Sequence, residues 1–263
     1  MTITVPGSDY YYSLRKLPKD VSCAVSTIFE LFENIIRIPT QITNDSIAHL
    51  KLQWWKKEIL ETEQNQGTHP LSNTLHTIMK KYCLSYHAWL QIISTVEGTL
   101  QSCQFPTEQS LRDYYTYTYG IREKMIAKVL LGGLTTDAQA IYHFAYCLGL
   151  IDQLQHLRDY AKRMYGFFSD EELAAISMQK AELFGLRTTH NIQRLIQQQI
   201  IKAELSFKTG LDLPPKATLK KLRCITIRCR LALTWAGLLN SEDYQLLEKK
   251  ILLTPLRKVL ISL

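Results

Sequence analysis

The sequence predicts an all-α protein with one domain spanning residues 1–263, and three observations favour this fold class. Glycine is scarce, with 11 residues among 263 where average usage would give roughly 18. Apolar residues recur at intervals of three and four along most of the chain, which is the period of an amphipathic helix. No strand pattern competes seriously with the helical one, and no domain linker is found.

The helices predicted in the first half depend on apolar spacing and on breaks between segments. Val25, Ile28 and Phe32 share one helical face, and Pro39 should end that helix. Asn44 is a good N-terminal cap for the next helix. The predicted helices of this half span residues 10–17, 21–38, 44–64, 71–82, 86–102 and 108–131.

The second half contains the most informative pattern, a stripe on the helix predicted over 137–163. Its apolar face is continued by three polar side chains, because Asp152, Gln155 and Asp159 follow Leu148 at helical spacing. Ser169 and Glu172 form a capping box for the next helix. The predicted helices of this half span residues 137–163, 170–184, 192–210, 216–239 and 242–263.

Charge and hydropathy restrict the surroundings of the protein without choosing a partner. The net charge of +7 and the pI of about 9.0 suit an anionic membrane, a nucleic acid or a phosphorylated ligand. Residues 1–12 lack the pattern of a signal peptide, and no run of eighteen apolar residues occurs. We therefore expect a cytoplasmic or organelle-matrix protein.

Three segments combine basic charge with possible ligand surfaces. Residues 54–57 and 246–260 mix apolar bulk with cations, as an interfacial membrane helix does, but a helix packed on a core has the same pattern. Residues 216–223, with Arg228 and Arg230 beyond them, offer cations to nucleic acid phosphates. Because aromatic interleaving and a known motif are missing there, nucleic acid is the less favoured partner.

Several short blocks, taken in order, resemble the squalene/phytoene synthase family over roughly residues 9–240. The resemblance implies an isoprenoid-synthase-like helical bundle around a central cavity. Residues 50–58, Leu-Lys-Leu-Gln-Trp-Trp-Lys-Lys-Glu, are most similar to a divergent branch that includes a mitochondrial respiratory complex I assembly factor and its bacterial relatives. The blocks that carry the resemblance are residues 9–14, 28–32, 50–58, 69–70, 105–107, 114–120, 154–160 and 171–173.

The resemblance also locates two acidic motifs with which active members of this family hold magnesium and release diphosphate. The first should fall at residues 36–40, which read Ile-Arg-Ile-Pro-Thr and contain no acid. The second should fall at 159–163, where Asp159 remains and Arg163 replaces the other acid. Since Mg²⁺ requires oxygen ligands, metal-assisted catalysis is not expected, and Mg²⁺ is a cofactor only if the enzyme is active.

The candidate site residues follow from this alignment and from the stripe. Arg37 and Arg163 would repel Mg²⁺ but could hold a phosphate by bidentate hydrogen bonds. We expect them to form a ligand-binding site with Asp152, Gln155 and Asp159, the alternative being a solvated, salt-bridged face.

Two further predictions concern catalysis and metal binding. Tyr114, six residues before Gly120, matches a family tyrosine that takes part in proton handling, and it is either a relic of that role or a core residue. Glu30 and Glu33, together with Asp159, are the weaker candidates for metal ligands.

The leading hypothesis is a degenerate, non-catalytic protein that acts in assembly of a respiratory membrane complex of the complex I type. Its expected partners are a subunit or assembly factor of that complex and, peripherally, the membrane surface. The resemblance to the assembly-factor branch implies a place in the bacterial cytoplasm or the mitochondrial matrix, peripheral on the inner membrane. One alternative is an active prenyltransferase that condenses two isoprenyl diphosphates head to head. The third is an isoprenoid or lipid carrier.

Overall fold

The computed structural model describes residues 4–101, 103–134 and 137–263, and in these ranges the chain is built from helices. Within the same ranges, the β-type backbone pairing is an isolated bridge between Phe105 and Ser169. The all-α prediction is therefore confirmed. The α-helices are α1 (Asp9–Leu14), α2 (Lys19–Ile36), α3 (Ile38–Gln41), α4 (Asp45–Glu63), α5 (Pro70–Lys81), α6 (Tyr86–Gln101), α7 (Glu108–Tyr115), α8 (Ile121–Leu130), α9 (Ala138–Gln155), α10 (Leu157–Lys162), α11 (Asp170–Ala175), α12 (Lys180–Phe184), α13 (His190–Asp212), α14 (Lys216–Lys221), α15 (Arg223–Leu238) and α16 (Pro255–Ser262).

Helix α9 is the central element of the packing. It contacts α7, α8, α13 and α15, and Phe144, Cys147 and Ile151 along it are fully buried. It also contacts a single turn of π-helix, Thr116–Gly120, which joins α7 to α8. Helix α2 packs on α8, and α8 in turn packs on α9.

Gly149 permits the close approach of α9 to the π-helical turn. A Cβ atom at this position would lie 2.4 Å from Cδ1 of Tyr115 and 3.3 Å from Cδ2 of Tyr119. Real side chains do not tolerate the shorter distance, so any other residue would displace the Tyr115 ring. Glycine here is explained by packing.

Both predicted N-terminal helix caps are confirmed. Asn44 Oδ1 accepts a hydrogen bond from the Ile47 amide at 3.2 Å, and α4 begins at the next residue. Ser169 and Glu172 form the predicted reciprocal capping box at the start of α11. Such caps satisfy backbone donors that the first helical turn leaves unpaired.

Several predicted helices end early or divide in the structure. The backbone turns at positions that the spacing of apolar residues does not mark as helix ends. The predicted helix 137–163 ends at Gln155, where the His156 amide bonds back to the Asp152 carbonyl. The helix predicted over 170–184 divides near Ser177, whose φ of 54° is left-handed and interrupts a right-handed helix. Residues 216–239 divide at Leu222, and within 242–263 the α-helical part is α16.

Two expectations fall partly outside the described ranges. They are Ser102 as the end of the helix over 86–102, and residues 1–3 of the segment without a signal-peptide pattern. Within the ranges that the structure covers, no helix combines the length and apolarity that crossing a bilayer requires.

Candidate functional site

The side chain of Arg37 lies between two carboxylates from facing helices. Arg37 follows the last residue of α2 and is buried. Its Nε donates to Glu33 Oε2 at 2.9 Å, and its Nη2 donates to Asp152 Oδ1 at 2.5 Å. Its Nη1 donates to the Tyr160 hydroxyl at 3.2 Å. One guanidinium therefore joins α2, α9 and α10.

The remaining carboxylate oxygens accept hydrogen bonds from tyrosines. Tyr10 donates to Glu33 Oε1 at 2.6 Å, and Tyr119 donates to Asp152 Oδ2 at 2.5 Å. Every oxygen of both carboxylates thus has a partner, as buried charges require. The name Arg37 cluster is used below for these six residues: Tyr10, Glu33, Arg37, Tyr119, Asp152 and Tyr160.

The protonation states of the Arg37 cluster are set by burial and by charge pairing. Burial acts to raise the pKa of Asp152, but the charge of Arg37, then that of His156, and hydrogen bonds from Arg37 and Tyr119 outweigh it and hold this pKa well below its usual range. Burial acts to lower the pKa of Arg37, and the charges of Asp152 and Glu33 more than compensate. Both groups are therefore ionised at neutral pH.

The tyrosines of the cluster remain protonated donors. Burial raises the pKa of Tyr119 well above its usual value, and the charge of Asp152 adds to that effect. Burial likewise raises the pKa of Tyr160, against the opposing charge of Arg37. A tyrosine that gives up its proton here would place another anion in a buried site, which is unfavourable.

The π-helical turn aligns two tyrosines with adjacent acceptors on α9. Tyr115 donates to the side-chain carbonyl of Gln153, while Tyr119 donates to Asp152. The two rings pack with their centroids 6.1 Å apart. π-Helical turns are frequent at functional sites, and here the hydroxyls of Tyr119 and of Tyr115, the residue before the turn, reach consecutive residues of α9.

A second buried ion cluster, here named the Arg122 cluster, consists of Arg122, Glu123 and Arg228. Arg122 Nε and Arg228 Nη1 each donate to Glu123 Oε1 at 2.7 Å. Burial acts to raise the pKa of Glu123, but the charges of Arg228 and Arg122 outweigh it and lower that pKa. Arg122 Nη2 also lies 2.7 Å from Glu123 Oε1 in an ion pair, whereas in the described part of the chain Glu123 Oε2 has no hydrogen-bond partner.

Aromatic rings join the two clusters. The Arg122 guanidinium lies 4.8 Å from the centre of the Tyr119 ring, and that of Arg228 lies 5.2 Å from the centre of the Tyr10 ring. Tyr119 and Tyr10 are the residues that donate to the carboxylates of the Arg37 cluster. Together the clusters contain three arginines and three carboxylates, so their formal charges balance.

The donors present do not fit a magnesium cage. Glu33 and Asp152 face each other across the interior, but Arg37 occupies the space between them and bonds to both. Nowhere in residues 4–101, 103–134 or 137–263 do three or more Asp, Glu, His or Cys side chains form a group that could hold a metal ion. Mg²⁺ needs several oxygen ligands and is repelled by a guanidinium.

The structure brings together part of the predicted ligand site. Arg37 and Asp152 do meet, but they form an ion pair with each other. The prediction that Gln155 and Asp159 continue the face of Asp152 is wrong for the geometry, because α9 ends at Gln155 and both side chains are exposed. Their role as ligand-binding residues stays a prediction.

Arg163 binds α3, the loop after it and the first residue of α4. It donates to the carbonyls of Pro39 at 3.2 Å and Thr43 at 2.8 Å, and it pairs with Asp45 at 2.8 Å. These partners occupy much of its guanidinium. Phosphate binding by Arg163 remains untested.

The weaker metal candidates and the predicted tyrosine lie in different surroundings. Glu33 belongs to the Arg37 cluster, whereas Glu30, one turn earlier, is partly buried, and burial raises its pKa. Tyr114 is buried, with its ring centre 5.1 Å from that of Phe167 and 5.6 Å from that of Phe105. Burial raises the pKa of Tyr114 well above its usual value. Its catalytic role stays a prediction.

The interior where the resemblance implies a cavity is packed with aromatic side chains around the Arg37 cluster. Tyr160 and Tyr114 both contact Phe167, at 4.5 Å and 5.1 Å between ring centres. A groove of about 450 Å³ lies elsewhere, between α7, α11 and α13, where Lys202 pairs with Glu172 at 2.7 Å. None of the predicted site residues lines that groove.

Sequence reasoning missed most of both clusters. Tyr10, Tyr119, Tyr160, Arg122 and Glu123 were not candidate residues. A signal existed for Glu123, because it lies at helical spacing from Tyr119 and Ile126 on an apolar face. Arg228 was considered for nucleic acid phosphates, but its side chain is buried against Glu123 and is not available to them.

Comparison with known proteins places the chain in a family. The family model described as squalene/phytoene synthase matches residues 3–257, and members of this family are prenyltransferases. No curated protein sequence matches this chain significantly.

Solved structures share the fold at low sequence identity. Squalene synthase HpnC from Alicyclobacillus acidocaldarius gives a TM-score of 0.72 at 14% identity, over 89% of this chain and 89% of that one. A dehydrosqualene synthase solved in complex with ligand gives 0.79 at 12% identity, over 97% and 89%. YisP from Bacillus subtilis subsp. subtilis strain 168 gives 0.67 at 12% identity, over 97% and 89%.

At these identities the structural likeness shows the fold alone, and it confirms the isoprenoid-synthase-like helical fold that the resemblance implied. The family match extends over nearly the whole sequence. This chain therefore belongs to the squalene/phytoene synthase family.

Proposed function

We propose that this chain is a non-catalytic member of its family and acts as an assembly protein for a respiratory membrane complex of the complex I type. The observation that supports loss of catalysis is the pairing of Arg37 with Glu33 and Asp152. Arg37 lies within residues 36–40, where the resemblance places the first acidic motif. A cation in this motif replaces the metal ions that diphosphate release depends on.

The energetics of the cluster oppose metal binding. A magnesium ion would have to displace a guanidinium that already neutralises both carboxylates and contributes hydrogen bonds to each. Losing those bonds would leave a buried arginine without partners, which costs several kcal/mol. Asp159, the acid that remains of the second motif, is exposed on α10.

The assembly role rests on residues 50–58, the block most similar to the assembly-factor branch. Within this block Leu50 and Trp54 are exposed on α4, one and two turns beyond the exposed Ile47. Large apolar side chains on one exposed helix face form a surface that a partner protein can cover. We propose that a subunit or assembly factor of the complex binds there.

The enzymatic test measures pyrophosphate released from farnesyl or geranylgeranyl diphosphate in the presence of Mg²⁺. We expect release no faster than in a blank without protein. An active synthase run in parallel controls for substrate quality. Robust turnover would establish the prenyltransferase alternative and overturn the non-catalytic proposal.

The genetic test deletes the gene and compares NADH oxidation with succinate oxidation in isolated membranes. We expect NADH oxidation to fall while succinate oxidation is retained. NADH oxidation equal to that of the parent strain would exclude complex I as the client.

Complementation of the deletion separates assembly from catalysis. We expect the Asp159→Asn and Tyr114→Phe variants each to restore NADH oxidation fully. An assembly role requires neither metal binding by Asp159 nor proton handling by Tyr114. The double variant Leu50→Ser and Trp54→Ser should fail to restore it while remaining folded. Failure of Asp159→Asn would point to catalysis instead.

A further inference from the structure

The groove between α7, α11 and α13 has a volume of about 450 Å³ and opens to solvent. Its lining includes three glutamates together with Ala175, Ile201 and Lys202. None of these residues belongs to the Arg37 cluster or to the Arg122 cluster. A pocket of this size is large enough for several side chains of a partner.

Ion pairs and a backbone hydrogen bond hold the walls of the groove together. Lys202 of α13 pairs with Glu108 of α7 and, at 2.7 Å, with Glu172 of α11. Glu171 Oε2 accepts a hydrogen bond from the Glu108 amide at 2.8 Å, which joins α11 to the first turn of α7. The groove is therefore already formed in the free protein, and a bound segment would not have to open it.

One wall of the groove continues as an exposed apolar stretch of α13. Ile201 is 63% exposed, and Leu205, one turn further along, is 65% exposed. Another side of the same helix packs into the core through Leu195, Ile196 and Ala203. A helix face that meets only water carries polar side chains, so Ile201 and Leu205 provide apolar area that a partner can bury.

The groove is acidic although the chain as a whole is basic. Three glutamates and one lysine line it, whereas the net charge of the chain is +7. Within the described residues, neither Glu108 Oε2 nor Glu171 Oε1 accepts a hydrogen bond. Glu171 is exposed and Glu108 is partly exposed, so a cation from outside can reach both carboxylates.

We propose that this groove binds an amphipathic segment of a partner protein that presents arginine or lysine beside apolar side chains. The cation of the segment pairs with Glu108 and Glu171, and its apolar side chains cover Ile201 and Leu205. Helical segments bind through anchors one turn apart, which is the spacing of these two apolar residues.

The charge and the apolar stretch together select this occupant. A small free cation would leave Ile201 and Leu205 exposed, and an anionic segment would be repelled by the glutamates. The proposal depends neither on the loss of catalysis nor on the α4 surface, because every residue that carries it lies outside the two ion clusters and outside α4.

The experiment measures binding of a fluorescein-labelled peptide to the purified full chain by fluorescence anisotropy. The peptide is a short helix former with leucine and arginine on one face and alanine and glutamine elsewhere, and a matched peptide has glutamate in place of arginine. We expect the arginine peptide to bind, less tightly as salt is added, and the glutamate peptide to bind at least about tenfold more weakly. Equal binding of the two peptides, or binding of neither, overturns the proposal.

Variants of the groove test where the arginine peptide binds. Ile201→Ser with Leu205→Ser should weaken its binding about tenfold or more, since both substitutions remove apolar area that the peptide buries. Glu171→Gln keeps an acceptor for the Glu108 amide and loses only the charge, so it should weaken binding roughly threefold. Binding equal to that of the parent in both variants would show that the peptide lies elsewhere and would overturn the proposal.

The matched control is Leu50→Ser with Trp54→Ser on α4, whose side chains are 66% and 42% exposed. This variant should bind the arginine peptide as the parent does, and a loss similar to that of the groove variants overturns the assignment of the site. Since the control alters the proposed assembly surface, failure of the groove proposal and failure of the assembly proposal are distinguishable.

A measurement of mass in solution separates binding of a partner from self-association. Sedimentation equilibrium of the parent and of the Ile201, Leu205 variant should give the same mass. If the parent is an oligomer that this variant converts to a monomer, the groove is an interface between copies of the chain, and the proposal of a different partner is wrong. Circular dichroism of each variant confirms that it is folded.

Discussion

The two ion clusters stabilise buried arginines in different ways. In the Arg37 cluster one guanidinium bonds to two carboxylates and a tyrosine, and each carboxylate oxygen has its own donor. In the Arg122 cluster two guanidinia share one oxygen of Glu123, and the other oxygen has no hydrogen-bond partner among the described residues. Aromatic rings cover the guanidinium faces there, at 4.3 Å from Phe32 and 4.4 Å from Phe29.

This difference shows how much each cluster depends on a single residue. Arg37 keeps its ion pair with Glu33 if Asp152 is neutralised, and it keeps its ion pair with Asp152 if Glu33 is neutralised. Arg122 and Arg228 both depend on Glu123 for a counter-charge. Cation–π contacts contribute about 2 kcal/mol when desolvated, which is less than the cost of leaving a buried charge unpaired.

The largest effect is expected for Glu123→Gln. Neutralising this side chain leaves two buried arginines without a carboxylate, so we expect the free energy of unfolding to fall by about 4 kcal/mol. Urea unfolding followed by circular dichroism measures this change. Glu204→Gln, at an exposed position of α13, is the matched control and should change stability by less than about 0.5 kcal/mol.

A smaller loss in the free energy of unfolding is expected for Asp152→Asn. Arg37 retains Glu33 and Tyr160, and the new amide can still accept hydrogen bonds, so unfolding should require about 2 kcal/mol less. The same urea titration tests this value. A loss of stability as large as that of Glu123→Gln would contradict the geometry, in which Glu33 remains as a counter-charge for Arg37.

A smaller effect still is expected for Tyr119→Phe, which deletes one hydrogen bond to an ionised carboxylate and keeps the ring beside Arg122. We expect a loss of about 1.5 kcal/mol. Tyr117→Phe, at an exposed position of the same turn, serves as the control and should be neutral. Equal stability of the two variants would contradict a structural role for the Tyr119 hydroxyl.

The smallest and most specific effect is a dependence on pH. The folded pKa of Asp152 is depressed, so its contribution to stability is present above the unfolded carboxyl pKa of about 4 and is lost as the pH falls toward the folded pKa. The stability difference between the parent and Asp152→Asn should therefore narrow on acidification from neutral pH to about pH 3. Urea titrations at several pH values measure it, and a constant difference would contradict the ionised pair.

Local features of the fold were predictable from sequence. The spacing of Val25, Ile28 and Phe32 predicted a helix over 21–38, and α2 covers Lys19–Ile36. The Asn44 cap fixed the start of α4 because capping depends on the next few residues alone. Arg37 and Asp152 were both assigned to one site, and they do meet.

The contacts within the site could not be predicted in the same way. Arg37 and Asp152 are far apart in sequence, and nothing local tells whether an arginine faces a carboxylate or a phosphate. The end of α9 at Gln155 lacks a glycine or proline signal. Instead, both the amide and Nδ1 of His156 contact the Asp152 carbonyl, an interaction to which hydrophobic periodicity is insensitive.

The position of Arg37 has a consequence for how this sequence can change. A substitution Arg37→Asp would bring a third carboxylate beside Glu33 and Asp152 and remove the cation that offsets them. Three adjacent anions repel one another, and at least one would have to take up a proton or unfold its surroundings. A metal-binding motif at residues 36–40 is therefore separated from the present sequence by unstable single-step intermediates.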